Sequence, residues 1–120
     1  MYDLKSKDKP VYIQIVEQTI EMIVKGELDD NDKLPSVREL AIQLGINPST
    51  VSKAYKELDE MGFIKTEKGK GTFILFSEKG LDIQKNKLLS EIEEKIERAK
   101  SIGIESQEIR KIIDRLYEEG

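Results

Sequence analysis

Six cations and four hydroxyls carry most of the chemistry this chain can offer. Lys33, Ser36 and Arg38 come first, then Ser49, Thr50, Ser52, Lys53 and Lys56, and finally Lys68 and Lys70 on either side of Gly69. Lysine and arginine side chains suit phosphate groups, and short hydroxyls can approach phosphates or base edges closely. Thr50 adds a methyl group that could meet the methyl of a thymine. Hydrolytic or redox chemistry has far less to work with. The chain holds no histidine and no cysteine, so neither a Ser–His–Asp nor a Cys–His arrangement can be built. The usual soft and imidazole ligands of zinc and copper are missing as well.

The overall charge does not point to nucleic acid. The net charge is −4, and residues 1–76 hold 11 basic against 13 acidic side chains. Its placement is uneven, however. Residues 33–56 carry four basic side chains and one acidic, and residues 65–71 carry three and one. The acidic excess falls in 27–32, in 57–60 and in the last third of the chain. A DNA reading must therefore rest on local charge. With 120 residues, one or two small domains are expected. No run approaches the ~18 apolar residues of a membrane span, and "MYDLKSKDKP" lacks the apolar core of a secretory signal. A cytoplasmic location without membrane contact is the expectation.

The elements that must position these groups can be read from periodicity. From Pro10 to Lys25, Ile13, Val16, Ile20, Ile23 and Val24 recur at helical spacing. Pro10 suits the first turn and Gly26 the stop. "GELDDNDKLP" reads as a polar connection. Ser36 and Glu39 then form a capping box, followed by the stripe Val37, Leu40, Ala41 and Leu44. Gly45 permits a turn. Asn47 is an N-cap candidate, with Pro48 at the first helical position, and Val51, Ala54, Tyr55, Leu58 and Met61 continue the second stripe. Two helices thus meet at a tight corner over the small residue Ala41, where Leu40, Leu44, Ile46, Val51 and Ala54 must be buried. Phe63–Thr66 and Thr72–Phe76 are rich in β-branched and aromatic residues and flank "EKGKG", which reads as a hairpin.

Helix, helix–turn–helix and hairpin in that order predict a mainly α fold with a small β-hairpin, a winged helix-turn-helix over 1–76. Such a motif places the N-terminal part of its second helix in the major groove. Here that part is Pro48, Ser49 and Thr50, with Ser52, Lys53 and Lys56 following. Lys33, Ser36 and Arg38 on the supporting side, and Lys68, Gly69 and Lys70 at the wing, complete the candidate DNA-binding set. Tyr12 and Tyr55 are read as structural. After a short hinge at "SEKG", residues 77–120 hold two more amphipathic helices. Leu88, Leu89, Ile92 and Ile96 line the first and Ile109, Ile112, Ile113 and Leu116 the second. Two helices alone cannot bury both faces, so pairing with a second copy is expected, which makes the tail a dimerisation domain.

The segments "PVYIQI", "LPSVRELAIQLGINPSTVSKAYKELDEMGFI" and "KGKGTFI" resemble the GntR family of bacterial transcription regulators, and the short two-helix tail resembles its YtrA branch. The resemblance implies a homodimeric, effector-responsive repressor on a palindromic operator. It implies DNA contacts from Arg38, the Ser49–Thr50 region, position 52 and the Gly69 wing tip, the last in the minor groove. Many members carry arginine where this chain has Pro48 and Ser52, so base reading here would lean on Thr50, Lys53, Arg38 or DNA shape. No cofactor is expected, no effector site stands out, and a small-molecule effector of unknown identity is left open. Two rival readings are a winged helix that binds protein, favoured by the net charge, and a non-specific architectural DNA binder.

Overall fold

The computed structural model describes residues 1–119. The chain runs α1 (Val11–Val24), β1 (Lys33–Leu34), α2 (Val37–Leu44), α3 (Pro48–Glu60), β2 (Ile64–Glu67), β3 (Gly71–Ile74), α4 (Glu78–Ser101) and α5 (Ser106–Glu119). It divides into two compact units, the first ending at Leu81 and the second beginning at Asp82.

In the first unit, Ile15, Val16 and Ile23 from α1, Leu40 and Ala41 from α2, and Val51, Ala54, Tyr55 and Leu58 from α3 share one core with Phe63, Ile64 and Ile74. Val51, Ala54 and Leu58 have no exposed surface at all. A larger side chain at Ala41 or Ala54 would push α2 and α3 apart, because close-packed interiors have no room to absorb it. Leu44 and Ile46 are only half-buried at the edge of this core. The expected stripe of α1 is one residue too long, since Val24 is exposed. Pro10 is the N-cap of α1 and not its first helical residue; its carbonyl accepts from the amides of Ile13 and Gln14.

The sheet has three strands, in the order β1-β3-β2, all antiparallel. The expected hairpin is there, shifted by about one residue: Ile64 pairs with Ile74 and Glu67 with Gly71. The third strand lies inside what reads as a polar connection. Lys33 pairs with Phe73 and Leu34 with Thr72, while Leu34 and Leu28 are buried in the core. Asn31, at φ 71°, turns the chain so that its amide donates to the Ile74 carbonyl at 2.8 Å. β3 is thereby bonded on both sides.

The "SEKG" segment is not a hinge. Ser77 Oγ accepts from the Gly80 amide at 3.1 Å, so the segment opens α4. Leu81 is partly buried against the core of the first unit, which is why that unit extends past Phe76.

The second unit presents α4 from Asp82 onward and α5, with no fully buried residue among those described. Gly103, at φ 91°, ends α4, and the Ile104 amide returns to the Ala99 carbonyl. Leu88, Ile92, Ile96, Ile109, Ile112, Ile113 and Leu116 line an apolar cleft of about 540 Å³ between the helices. Leu89 is exposed and does not line it.

Candidate nucleic-acid interface

The corner between α2 and α3 is built by local chemistry. Gly45 closes α2 at φ 65°, a left-handed conformation that costs glycine nothing and a branched residue a great deal. Ser36 Oγ accepts from the Glu39 amide at 3.1 Å, and the Ser36 amide donates to Glu39 Oε1 at 2.9 Å. The expected capping box is therefore complete. The hydrogen bond from the Ser36 amide, then that from its side chain, and then the Lys33 charge hold the Glu39 carboxyl below the usual glutamate range. Its stabilising contribution is present above the ordinary glutamate pKa and is lost as pH falls through the depressed one. Ser36→Ala is expected to cost about 1 kcal/mol of stability in urea unfolding at neutral pH. The gap to the natural chain should narrow as pH falls through the depressed pKa of Glu39, where the carboxyl takes up its proton.

At the start of α3, Asn47 Oδ1 accepts from both the amide and the hydroxyl of Ser49, each at 3.0 Å. The cap and Pro48 at the first helical position fall where the sequence puts them. Because Ser49 donates its proton to Asn47, its exposed oxygen is left as an acceptor. It could accept from a cytosine or adenine amino group but cannot, in this state, donate to a phosphate. Thr50 is partly exposed, and Pro48, Ser52, Lys53 and Lys56 are exposed. Tyr55 fixes the helix from behind: its hydroxyl donates to the Pro35 carbonyl at 2.7 Å, and burial pushes its pKa well up. That bond ties α3 to the lead-in of α2.

The wing turn closes with the Lys70 amide on the Glu67 carbonyl at 2.9 Å. Gly69 has φ 80°, as the third position of a type II turn requires. Lys68, Gly69 and Lys70 are all exposed there. Lys33 joins this group through the third strand, and its side chain passes so close to Gly71 that a Cβ there would lie 2.8 Å from Lys33 Cε. Lys33 thus bridges the wing and the start of α2, which its position in sequence does not reveal.

Charge pairing sorts the cations. Among the described residues the ion pairs are Lys9–Glu17 at 2.8 Å and Lys65–Glu67 at 3.7 Å. Lys33, Arg38, Lys53, Lys56, Lys68 and Lys70 have no carboxylate within 4.0 Å among the described residues. All six are exposed. A cation left unpaired on an acidic protein is available to a polyanion. Arg38 and Lys56 make no side-chain hydrogen bond among the described residues either, so nothing in the unit fixes them. Lys53 is different, because its Nζ lies 4.0 Å from the centroid of the Tyr12 ring. Sequence alone gives Tyr12 a structural part, and nothing in the spacing pairs it with Lys53.

Comparisons with known proteins bear on the fold and the family. Residues 11–74 match the family described as bacterial regulatory proteins, gntR family. The chain is 39% identical to the uncharacterized HTH-type transcriptional regulator YhcF of Bacillus subtilis strain 168 over 113 residues, 93% of each chain. It is 55% identical over 65 residues to the HTH-type transcriptional repressor YtrA of the same strain, which covers 54% of this chain and 50% of that one. The solved structure of YtrA from Sulfolobus acidocaldarius, a GntR-family transcription factor, superposes with a TM-score of 0.56 at 41% identity, over 99% of this chain and 97% of that one. No described helix is long and apolar enough to cross a membrane. The chain belongs to the gntR family of bacterial regulatory proteins, in its YtrA-like branch, and is a DNA-binding transcription regulator.

Proposed function

We propose that this protein is a cytoplasmic repressor that binds a palindromic operator as a homodimer. The observation that carries the DNA face is the set of six unpaired, exposed cations on α2, α3 and the wing of a chain whose net charge is −4. In this reading residues 1–76 contact DNA. The start of α3, with Ser49, Thr50 and Ser52, enters the major groove, and Lys53 and Lys56 lie toward its walls. Arg38 and Ser36 approach from α2, and Lys33, Lys68, Gly69 and Lys70 approach from the wing. With serine at position 52 and an acceptor at Ser49, direct reading of guanine falls to Arg38.

The second unit, from Asp82 onward, holds two copies together. Its Leu88, Ile92, Ile96, Ile109, Ile112, Ile113 and Leu116 in the cleft, with Leu89 outside it, supply the apolar surface, and apolar side chains left uncovered in this number support an association site. Two copies would set two α3 helices about one DNA turn apart.

The test is selection of a bound site from a random-sequence duplex library, followed by footprinting. A two-fold symmetric site with half-sites ~10 base pairs apart, bound with steep salt dependence, is the expected result. Equal affinity for every duplex would point to an architectural binder, and no binding at low salt would point to a protein-binding winged helix.

A further inference from the structure

Tyr12 stands in the first turn of α1 and Lys53 on the exposed side of α3, 41 positions apart in sequence. The ammonium of Lys53 nevertheless lies 4.0 Å from the centre of the Tyr12 ring. Tyr12 is half-buried and packed against the core, so the ring is fixed, whereas the lysine is exposed. The Tyr12 hydroxyl makes no hydrogen bond among the described residues, so the face of the ring is the part that is used. A lysine side chain loses most of its rotamer freedom when it is ordered. That loss falls on DNA binding unless another group has already ordered the chain.

We propose that Tyr12 is a positioning residue for DNA binding. Its ring holds the Lys53 ammonium by attraction to the negative face of the π-system and so presents it, already ordered, to a backbone phosphate. The ring covers one side of the ammonium and leaves N–H groups on the other side free to donate. The proposal rests on the reading of α3 as the DNA-facing helix. It adds α1 to the elements that shape that face. It also separates Lys53 from Lys56, which has no such support.

The test uses the full chain and a duplex carrying the site it selects from a random library, with affinity read by fluorescence anisotropy across a salt series. Tyr12→Leu is expected to weaken binding about two- to fivefold per bound chain, and Tyr12→Phe to bind like the natural protein. Lys53→Met should make the salt dependence shallower by about 0.9 per chain. Tyr12→Leu should leave that slope unchanged and should add no loss in the Lys53→Met background. In the free protein the ε-protons of Lys53 should show an upfield ring-current shift by NMR, lost in Tyr12→Leu. An equal loss from Tyr12→Leu with and without Lys53 would mean a merely structural ring and overturn the proposal. Tighter binding on loss of the ring would overturn it too, since the ring would then be holding the lysine back from DNA. Lys53→Met without effect on binding would overturn the DNA role of Lys53, and the proposal with it. A normal Lys53→Met loss without any ring-current shift in the natural protein would overturn the proposal alone.

Discussion

Arg38→Ala is expected to weaken operator binding by about 1–3 kcal/mol per half-site, roughly five- to 150-fold. Arg38 is the second residue of α2, exposed, and free of hydrogen bonds and ion pairs among the described residues. Its removal leaves no buried group unpaired and opens no cavity. Stability should therefore change by less than about 0.5 kcal/mol, and the melting temperature serves as the control. The binding loss has a physical basis in the guanidinium itself. Its rigid fork donates to two acceptors at once, which neither alanine nor lysine reproduces. Arg38→Lys should thus recover the salt dependence but only part of the affinity. An unchanged affinity for Arg38→Ala, measured by anisotropy on the selected site, would remove α2 from the proposed DNA face.

Replacing Ile92 and Ile113 together by aspartate is expected to produce a monomer at micromolar concentration and to reduce operator affinity by about 10²–10⁴-fold. Both residues line the cleft between α4 and α5 and are about half exposed in the single chain, at 47% and 45%. If a second copy covers them, each aspartate would be buried without a partner, which a packed apolar interface does not tolerate. A dimer on a two-fold site binds its second half-site as an intramolecular event, and that gain disappears on dissociation. The winged unit has its own core, from Ile15 to Ile74, so its unfolding should be unaffected. Light scattering on the size-exclusion peak decides the matter. A natural protein that runs as a monomer, or a double variant that still runs as a dimer, would refute pairing through the tail.

Local signals were legible in the sequence because each rests on a few adjacent residues. Ser36 with Glu39, Gly45, and Asn47 with Pro48 act within a single turn of chain, and the structure has all of them in their expected places. The period of Leu40, Ala41, Val51, Ala54 and Leu58 fixed the buried faces for the same reason, since helical spacing alone decides which side chains share a face. These signals determined a helix-turn-helix with a hairpin behind it and the family it resembles.

What the sequence left undetermined depends on partners far along the chain. Lys33 and Leu34 are too few to show an alternation, and they form a strand only because β3, forty residues later, offers a free edge. Ser77 caps α4 in the segment "SEKG", which reads in sequence as a short hinge. The Tyr55 bond to Pro35 and the Lys53 contact with Tyr12 exist only once α3 has packed on α1 and α2. The sequence by itself determined the helices, the hairpin and which cations stand in the reading region. Only the tertiary structure decided which of those cations remain unpaired, which one is held by a ring, and how Lys33 comes to lie beside the wing. The physical reason is range: capping and periodicity act through neighbouring backbone, whereas charge pairing and ring contacts are set by distances that packing alone creates.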